Sequence, residues 1–193
     1  EFMFCVADVS GKGVSAAFLM SNFQAHLRAI FNYLTLPLED VIHELNKKVM
    51  RSAMGEKYIT LFIGVYNKQT RLLQYINCGH NPPVLADKNG YTQLLKLGTI
   101  GLGMFDELPK MAKGQVVIEK GSTIVCYTDG LVEMEDERCE QYSLERLEQL
   151  ILAFPDSRAS EINDVILQSI NDFRGDMPFV DDEICSFLLD KHL

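Results

Sequence analysis

The chain has 193 residues, 47% of them hydrophobic and 23% charged. At roughly 150 residues per domain this length predicts one domain over residues 1–193, and the composition excludes disordered, collagen-like and fibrous chains. Eighteen basic against 27 acidic residues give a net charge of −9, which argues against nucleic acid and anionic membrane as partners.

The first element predicted is a buried strand over residues 2–9, a nearly continuous apolar run that opens into the turn Asp8-Val9-Ser10-Gly11-Lys12-Gly13. No basic segment precedes it, so it is not a signal peptide, and the chain is read as truncated at its N-terminus. A helix follows over residues 14–34, with Met20, Phe23, Leu27, Ile30 and Leu34 at three- and four-residue steps until Pro37. A second helix over residues 38–53 carries Leu38, Val41, Ile42, Leu45 and Val49 on one face, which completes a helical hairpin.

Beyond Gly55 the pattern changes to strands. Residues 58–67 and 72–78 form a predicted antiparallel hairpin, and residues 84–87 and 91–95 a second one around Lys88-Asn89-Gly90. Gly98, Gly101 and Gly103 mark a loop read as a flexible flap. Strands are predicted at 115–119 and 123–128, helices at 143–154 and 160–173 with Ser160 as N-cap, and a last strand at 183–189. This order lacks a regular β-α-β alternation, so the class is α+β, with sheets flanked by segregated helix pairs. The apolar runs are far shorter than the roughly 20 residues that cross a bilayer, and no membrane contact is expected.

Five cysteines (Cys5, Cys78, Cys126, Cys139, Cys185) lie far apart, with no C-x-x-C and an odd total. That pattern fits neither a zinc knuckle nor a disulfide framework and points to the cytoplasm. Three aspartate motifs sit at the rims of apolar runs: Asp8, Asp129 and the pair Asp181-Asp182. A carboxylate at such a rim is either a solvated turn former or a ligand for a shared cation. Three of them, two beside small residues, favour the cation, and oxygen ligands alone favour a hard ion, Mg²⁺ or Mn²⁺. His80, in Gly79-His80-Asn81-Pro82-Pro83, reads as a loop-fixing residue. Lys12 is followed by Gly13, which breaks the P-loop spacing, and Gly98-x-x-Gly101-x-Gly103 lacks the flanks of a dinucleotide fingerprint.

Taken in order, Asp8-Val9-Ser10-Gly11-Lys12-Gly13-Val14-Ser15-Ala16-Ala17, Gly79-His80-Asn81-Pro82-Pro83, Tyr127-Thr128-Asp129-Gly130-Leu131-Val132-Glu133 and Asp181-Asp182 resemble the motif series of the SpoIIE/RsbU-like protein serine/threonine phosphatases. These belong to the metal-dependent, protein phosphatase 2C-like (PPM) superfamily. The resemblance implies an αββα sandwich of two mainly antiparallel sheets flanked by helix pairs, with two metal ions. It implies that Asp8 bridges both ions, that the Val9 carbonyl contacts one, and that Asp129 and Asp181 hold the other; Asp8, Asp129 and Asp181 are the catalytic set. The implied substrate is a phosphoserine or phosphothreonine protein, commonly a phospho-STAS anti-anti-sigma factor in a partner-switching pathway, with a sensor or receiver domain upstream.

The family places a further aspartate in a Gly-Gly-Asp segment one strand upstream, and only seven residues precede Asp8. The expectation for this piece is weak metal binding at one site, poor turnover and a tendency to homodimerise through the unpaired edge of the first strand. The competing reading is a phosphatase-like docking module without turnover. A metal nuclease is disfavoured by the charge and by the lack of a basic, aromatic-lined stripe.

Overall fold

The computed structural model describes residues 1–31, 36–155, 157–176 and 186–189. Its elements are β1 (Phe2–Val9), α1 (Val14–Phe31), α2 (Leu38–Ala53), β2 (Ile59–Asn67), β3 (Leu72–Cys78), β4 (Val84–Ala86), β5 (Thr92–Leu94), β6 (Gly98–Thr99), β7 (Gly114–Val117), β8 (Thr123–Tyr127), α3 (Asp129–Val132), α4 (Leu144–Ala153), α5 (Ala159–Arg174) and β9 (Ser186–Leu189). They fall into two compact units, Glu1–His80 with Lys96–Val116, and Asn81–Leu95 with Val117–Leu193. Each unit joins one sheet to a pair of longer helices, and the α+β class holds.

The first unit is built on the order β1-β2-β3-β6, with β7 also on β3. β1 runs antiparallel to β2 with Asp8 opposite Thr60 and Val9 opposite Ile59; β2 runs antiparallel to β3, and β6 pairs parallel with β3 through Asn77 and Gly98. Strand alternation divides β1 cleanly. Met3, Cys5, Ala7 and Val9 join the core that holds Ile59, Leu61, Ile63, Ile76 and Cys78, together with Leu19 and Phe23 of α1 and Val41, Ile42 and Leu45 of α2. On the opposite face, Phe2, Phe4, Phe62 and Tyr75 form a file of rings with neighbouring centroids 5.5–6.1 Å apart. Val41, Ile42 and Leu45 are fully buried, which is about 1.5–3 kcal/mol of stabilisation for each large side chain.

The second unit has the order β5-β4-β8-β9, antiparallel throughout. β8 is buried along its whole length, which accounts for its unbroken apolar run. Its core packs Val84, Val125 and Tyr127 with Leu147 and Ile151 of α4 and Ile162, Ile166 and Ile170 of α5. Tyr142 is buried, its hydroxyl 2.7 Å from Ser169 Oγ, and the Arg146 guanidinium lies 4.3 Å from the Phe173 ring centre.

Several sequence expectations change. β1 is not buried throughout: Phe4 and Val9 are buried, Phe2 and Asp8 are exposed and the other residues are half-buried, with β1 at the end of the sheet order. The inward stripe of α1 is Ala16, Leu19, Phe23 and Leu27, with Met20 and Ile30 at its margin; the last turn expected there, with Leu34, lies outside the described residues. The glycine loop is not a free flap. Gly98–Thr99 is strand β6, Leu102 exchanges two 2.8 Å backbone hydrogen bonds with Ile59, and Gly103 N–H donates to Asn46 Oδ1 at 2.8 Å. Ser160 lies inside α5, whose N-cap is Arg158, with the Arg158 N–H donating to the Glu161 carboxylate at 2.8 Å. Residues 183–185 of the last strand lie outside the described residues. Among the described residues, no helix is long and apolar enough to cross a membrane.

Candidate metal centre

Asp8 is the next-to-last residue of β1, and alternation turns its side chain away from the core that takes Val9. It is exposed, so its carboxylate carries no heavy desolvation cost. The turn after it is fixed from both sides. Ser10 N–H donates to the Tyr58 carbonyl and Tyr58 N–H to Ser10 Oγ, each at 2.9 Å, while Lys57 Nζ donates to the Ser10 carbonyl at 3.3 Å. Gly11 and Gly13 take φ of 78° and 89°, which is why this turn is written with glycines. Val14 then opens α1.

Thr60, opposite Asp8, faces the same side of the sheet. Its Oγ1 lies 3.0 Å from His80 Nδ1. His80 is buried and clamped by Asn77, whose Oδ1 accepts the His80 N–H at 2.8 Å and whose Nδ2 donates to the His80 carbonyl at 2.9 Å. His80 thus fixes a loop, as its motif predicts, and also reaches the strand residue beside Asp8. Sequence reading missed Thr60, because its only signal is the register of two strands about fifty residues apart.

Asp129 follows β8 and opens the four-residue helix α3, which sequence reading also missed. Its Oδ1 accepts the Gly130 N–H and its carbonyl the Glu133 N–H, both at 2.9 Å. Like Asp8 it is exposed at a strand end. Just before it, burial and the neighbouring Glu148 carboxylate push the Tyr127 hydroxyl up to about 12, so Tyr127 stays neutral.

Asp8 and Val9 belong to the first unit and Asp129 to the second, while Asp181 and Asp182 lie outside the described residues. Among the described residues, no group of three or more His, Cys, Asp or Glu could hold a metal ion. The donor types nonetheless fit a hard divalent cation: exposed carboxylates at strand ends, next to main-chain carbonyls in glycine-bearing turns.

The family model for stage II sporulation protein E (SpoIIE) matches residues 1–190. The phosphoserine phosphatase RsbU of Bacillus subtilis is 30% identical over 169 residues, which cover 86% of this chain and 49% of that protein. The chain spans half or less of the length of the curated relatives it matches. Among solved structures, the SiaA-PP2C domain of Pseudomonas aeruginosa superposes with a TM-score of 0.80 at 17% identity, over 96% of this chain and 73% of that one. RsbX in complex with magnesium superposes at 0.65 with 21% identity, over 96% and 79%. These likenesses show the PP2C-like fold, and with the match across residues 1–190 the chain belongs to the SpoIIE family.

Proposed function

We propose that the chain is a metal-dependent phosphatase acting on phosphoserine or phosphothreonine of a signalling protein, a phospho-STAS anti-anti-sigma factor. The observation that carries this reading is the SpoIIE match across residues 1–190, which includes exposed aspartates at the ends of β1 and β8. The relative RsbU is named a phosphoserine phosphatase and RsbX was solved with magnesium, which supports the reaction and the ion class. In this reading residues 1–193 work as one phosphatase domain in the cytoplasm, beneath a sensor or receiver domain of a longer protein.

Two ions, Mn²⁺ or Mg²⁺, would be held by Asp8 across both, the Val9 carbonyl on one, and Asp129 and Asp181 on the other. When bound, such a pair lowers the pKa of a water and offsets charge on the phosphoryl oxygens. The chain's own part is to pre-set the ligands. Pairing of β1 with β2 fixes the Asp8 backbone, the Ser10–Tyr58 hydrogen bonds hold the turn, and the Gly130 N–H orients the Asp129 carboxylate. β1 ends its sheet order, so a second copy adding a strand there would be the homodimer of this reading.

The test is phosphate release from a panel of phospho-STAS proteins by the full-length protein, with Mn²⁺ and with EDTA. The expected result is release that requires the ion. Tight binding of the phosphoprotein with no release at saturating Mn²⁺ would replace the enzyme with a docking module.

A further inference from the structure

Thr60 and His80 make a polar file on the face of the first sheet that also carries Asp8. Register places Thr60 directly across from Asp8, at a Cβ separation of about 5 Å in such pairs. His80 Nδ1 then lies 3.0 Å from Thr60 Oγ1. The imidazole is not placed loosely. His80 is 5% exposed, Asn77 is 4% exposed and bonds both the N–H and the carbonyl of His80, and the Asn77 N–H is itself tied to the Leu97 carbonyl at 2.9 Å. Gly79 fits so closely under the next loop that a Cβ there would lie 2.9 Å from the Gly101 nitrogen. The result is a ring held from below, facing the hydroxyl of the residue that register pairs with Asp8. A buried imidazole aimed at one hydroxyl is more than loop fixing requires, since the Asn77 clamp already holds the loop backbone.

We propose that Thr60 and His80 are positioning residues for Asp8: the His80 imidazole fixes the Thr60 hydroxyl, and that hydroxyl fixes the rotamer in which the Asp8 carboxylate accepts a divalent cation. The inference rests on the reading of Asp8 as a cation ligand. A hydroxyl has one proton and an ionised carboxylate only accepts, so in this arrangement the His80 Nδ1–H donates to Thr60 Oγ1 and leaves the hydroxyl proton to be given to Asp8. The carboxylate beside it loses rotamer freedom before the ion arrives, and outer partners of this kind typically change metal affinity 10–100-fold.

The experiment is calorimetric Mn²⁺ titration of the full-length protein without substrate, with thermal melting of each metal-free variant. Thr60→Val keeps the shape and removes the hydroxyl, and it is expected to weaken Mn²⁺ binding about tenfold or more while the melting curve stays cooperative. Thr60→Ser is expected to bind as the parent does. His80→Phe should weaken binding, and His80→Asn, whose amide nitrogen can stand where Nδ1 stood, should recover most of it. Because the ring acts through the hydroxyl, Thr60→Val with His80→Phe should lose no more than Thr60→Val alone. Should His80→Phe not fold, the Thr60 pair and His80→Asn still decide the question. Parental Mn²⁺ affinity in folded Thr60→Val overturns the proposal, as does additive loss in the double variant. Asp8→Asn runs beside them: parental Mn²⁺ binding in that variant would remove the reading of Asp8 itself, and weakened binding there with parental binding in Thr60→Val would remove only the positioning role.

Discussion

Asn46 is the buried polar residue on the inner face of α2, 2% exposed amid Ile42, Leu45 and Val49. Its Oδ1 accepts the buried Gly103 N–H at 2.8 Å, and its Nδ2 donates to the carbonyls of Phe105 at 3.0 Å and Asp106 at 3.2 Å. Asn46→Ala removes all three bonds. Residues 105 and 106 are exposed, so water can replace two of them at a small cost, but Gly103 is buried and its N–H is stranded. An orphaned buried donor costs about 1–3 kcal/mol and each replaceable bond about 0.5 kcal/mol, so the expected destabilisation is about 2–4 kcal/mol. With a urea m-value of about 2 kcal/mol/M, the midpoint should fall by about 1–2 M without a change in slope. Equilibrium urea unfolding checks this, and amide exchange at Gly103 should quicken at the same time. Asn46→Asp keeps the acceptor but turns a charge toward two carbonyls; its carboxyl pKa is raised, so its instability at neutral pH should ease as pH falls through that value. A midpoint shift below about 0.2 M in Asn46→Ala, with unchanged Gly103 exchange, would refute the view that this side chain holds the loop.

Asp129→Asn in the full-length protein is expected to abolish Mn²⁺-dependent phosphate release while leaving the urea midpoint within about 0.3 M, since the amide oxygen can still accept the Gly130 N–H; normal turnover at saturating Mn²⁺ would contradict it. Burial pushes the thiol of Cys5 up to about 11 and that of Cys78 up to about 12, so both carry little thiolate at pH 8. Cys139 is exposed and should take up iodoacetamide before Cys5, Cys78 or Cys126, as read by peptide mass spectrometry; equal labelling rates would contradict the burial. Asp87 accepts the backbone N–H groups of Tyr91 and Asn89, which holds its carboxyl below the usual value. A depressed carboxyl stabilises the β4–β5 turn above its unfolded pKa and loses that effect as pH falls through the folded one. The Tyr91 amide should therefore lose exchange protection in acid below about pH 4, and an unchanged protection profile down to pH 2 would contradict it.

The parts of the fold that were readable carry their signal locally. α2 keeps an apolar residue at every inward step but Asn46 and begins right after a proline, and its bounds match the expectation residue for residue. β3 is bounded by a turn whose Asn67 side chain caps Gln69 and Thr70, and it also matches. β6 was not readable, because a two-residue parallel pairing has no periodicity and exists only through β3. Asn46 was passed over because a polar residue on an apolar stripe looks like a margin until its distant partners are seen. Asp8 and Asp129 stand at strand ends as expected, whereas the neighbours of Asp8 depend on a pairing that bridges about fifty residues.

The discontinuity of the first unit bears on how the chain is made. On a ribosome adding about 5–20 residues per second, Asn46 emerges about 3–11 s before the Gly103 amide 57 residues later that it must bond. β3 likewise waits for Gly98, and in the interval the chain has already produced β4 and β5, which belong to the other unit. For those seconds the nascent chain holds a helical hairpin on a three-stranded sheet with one edge of β3 open and a polar group unsatisfied in the core. This is the stage at which a holdase would engage it, and a chain terminated here would be an aggregation-prone fragment.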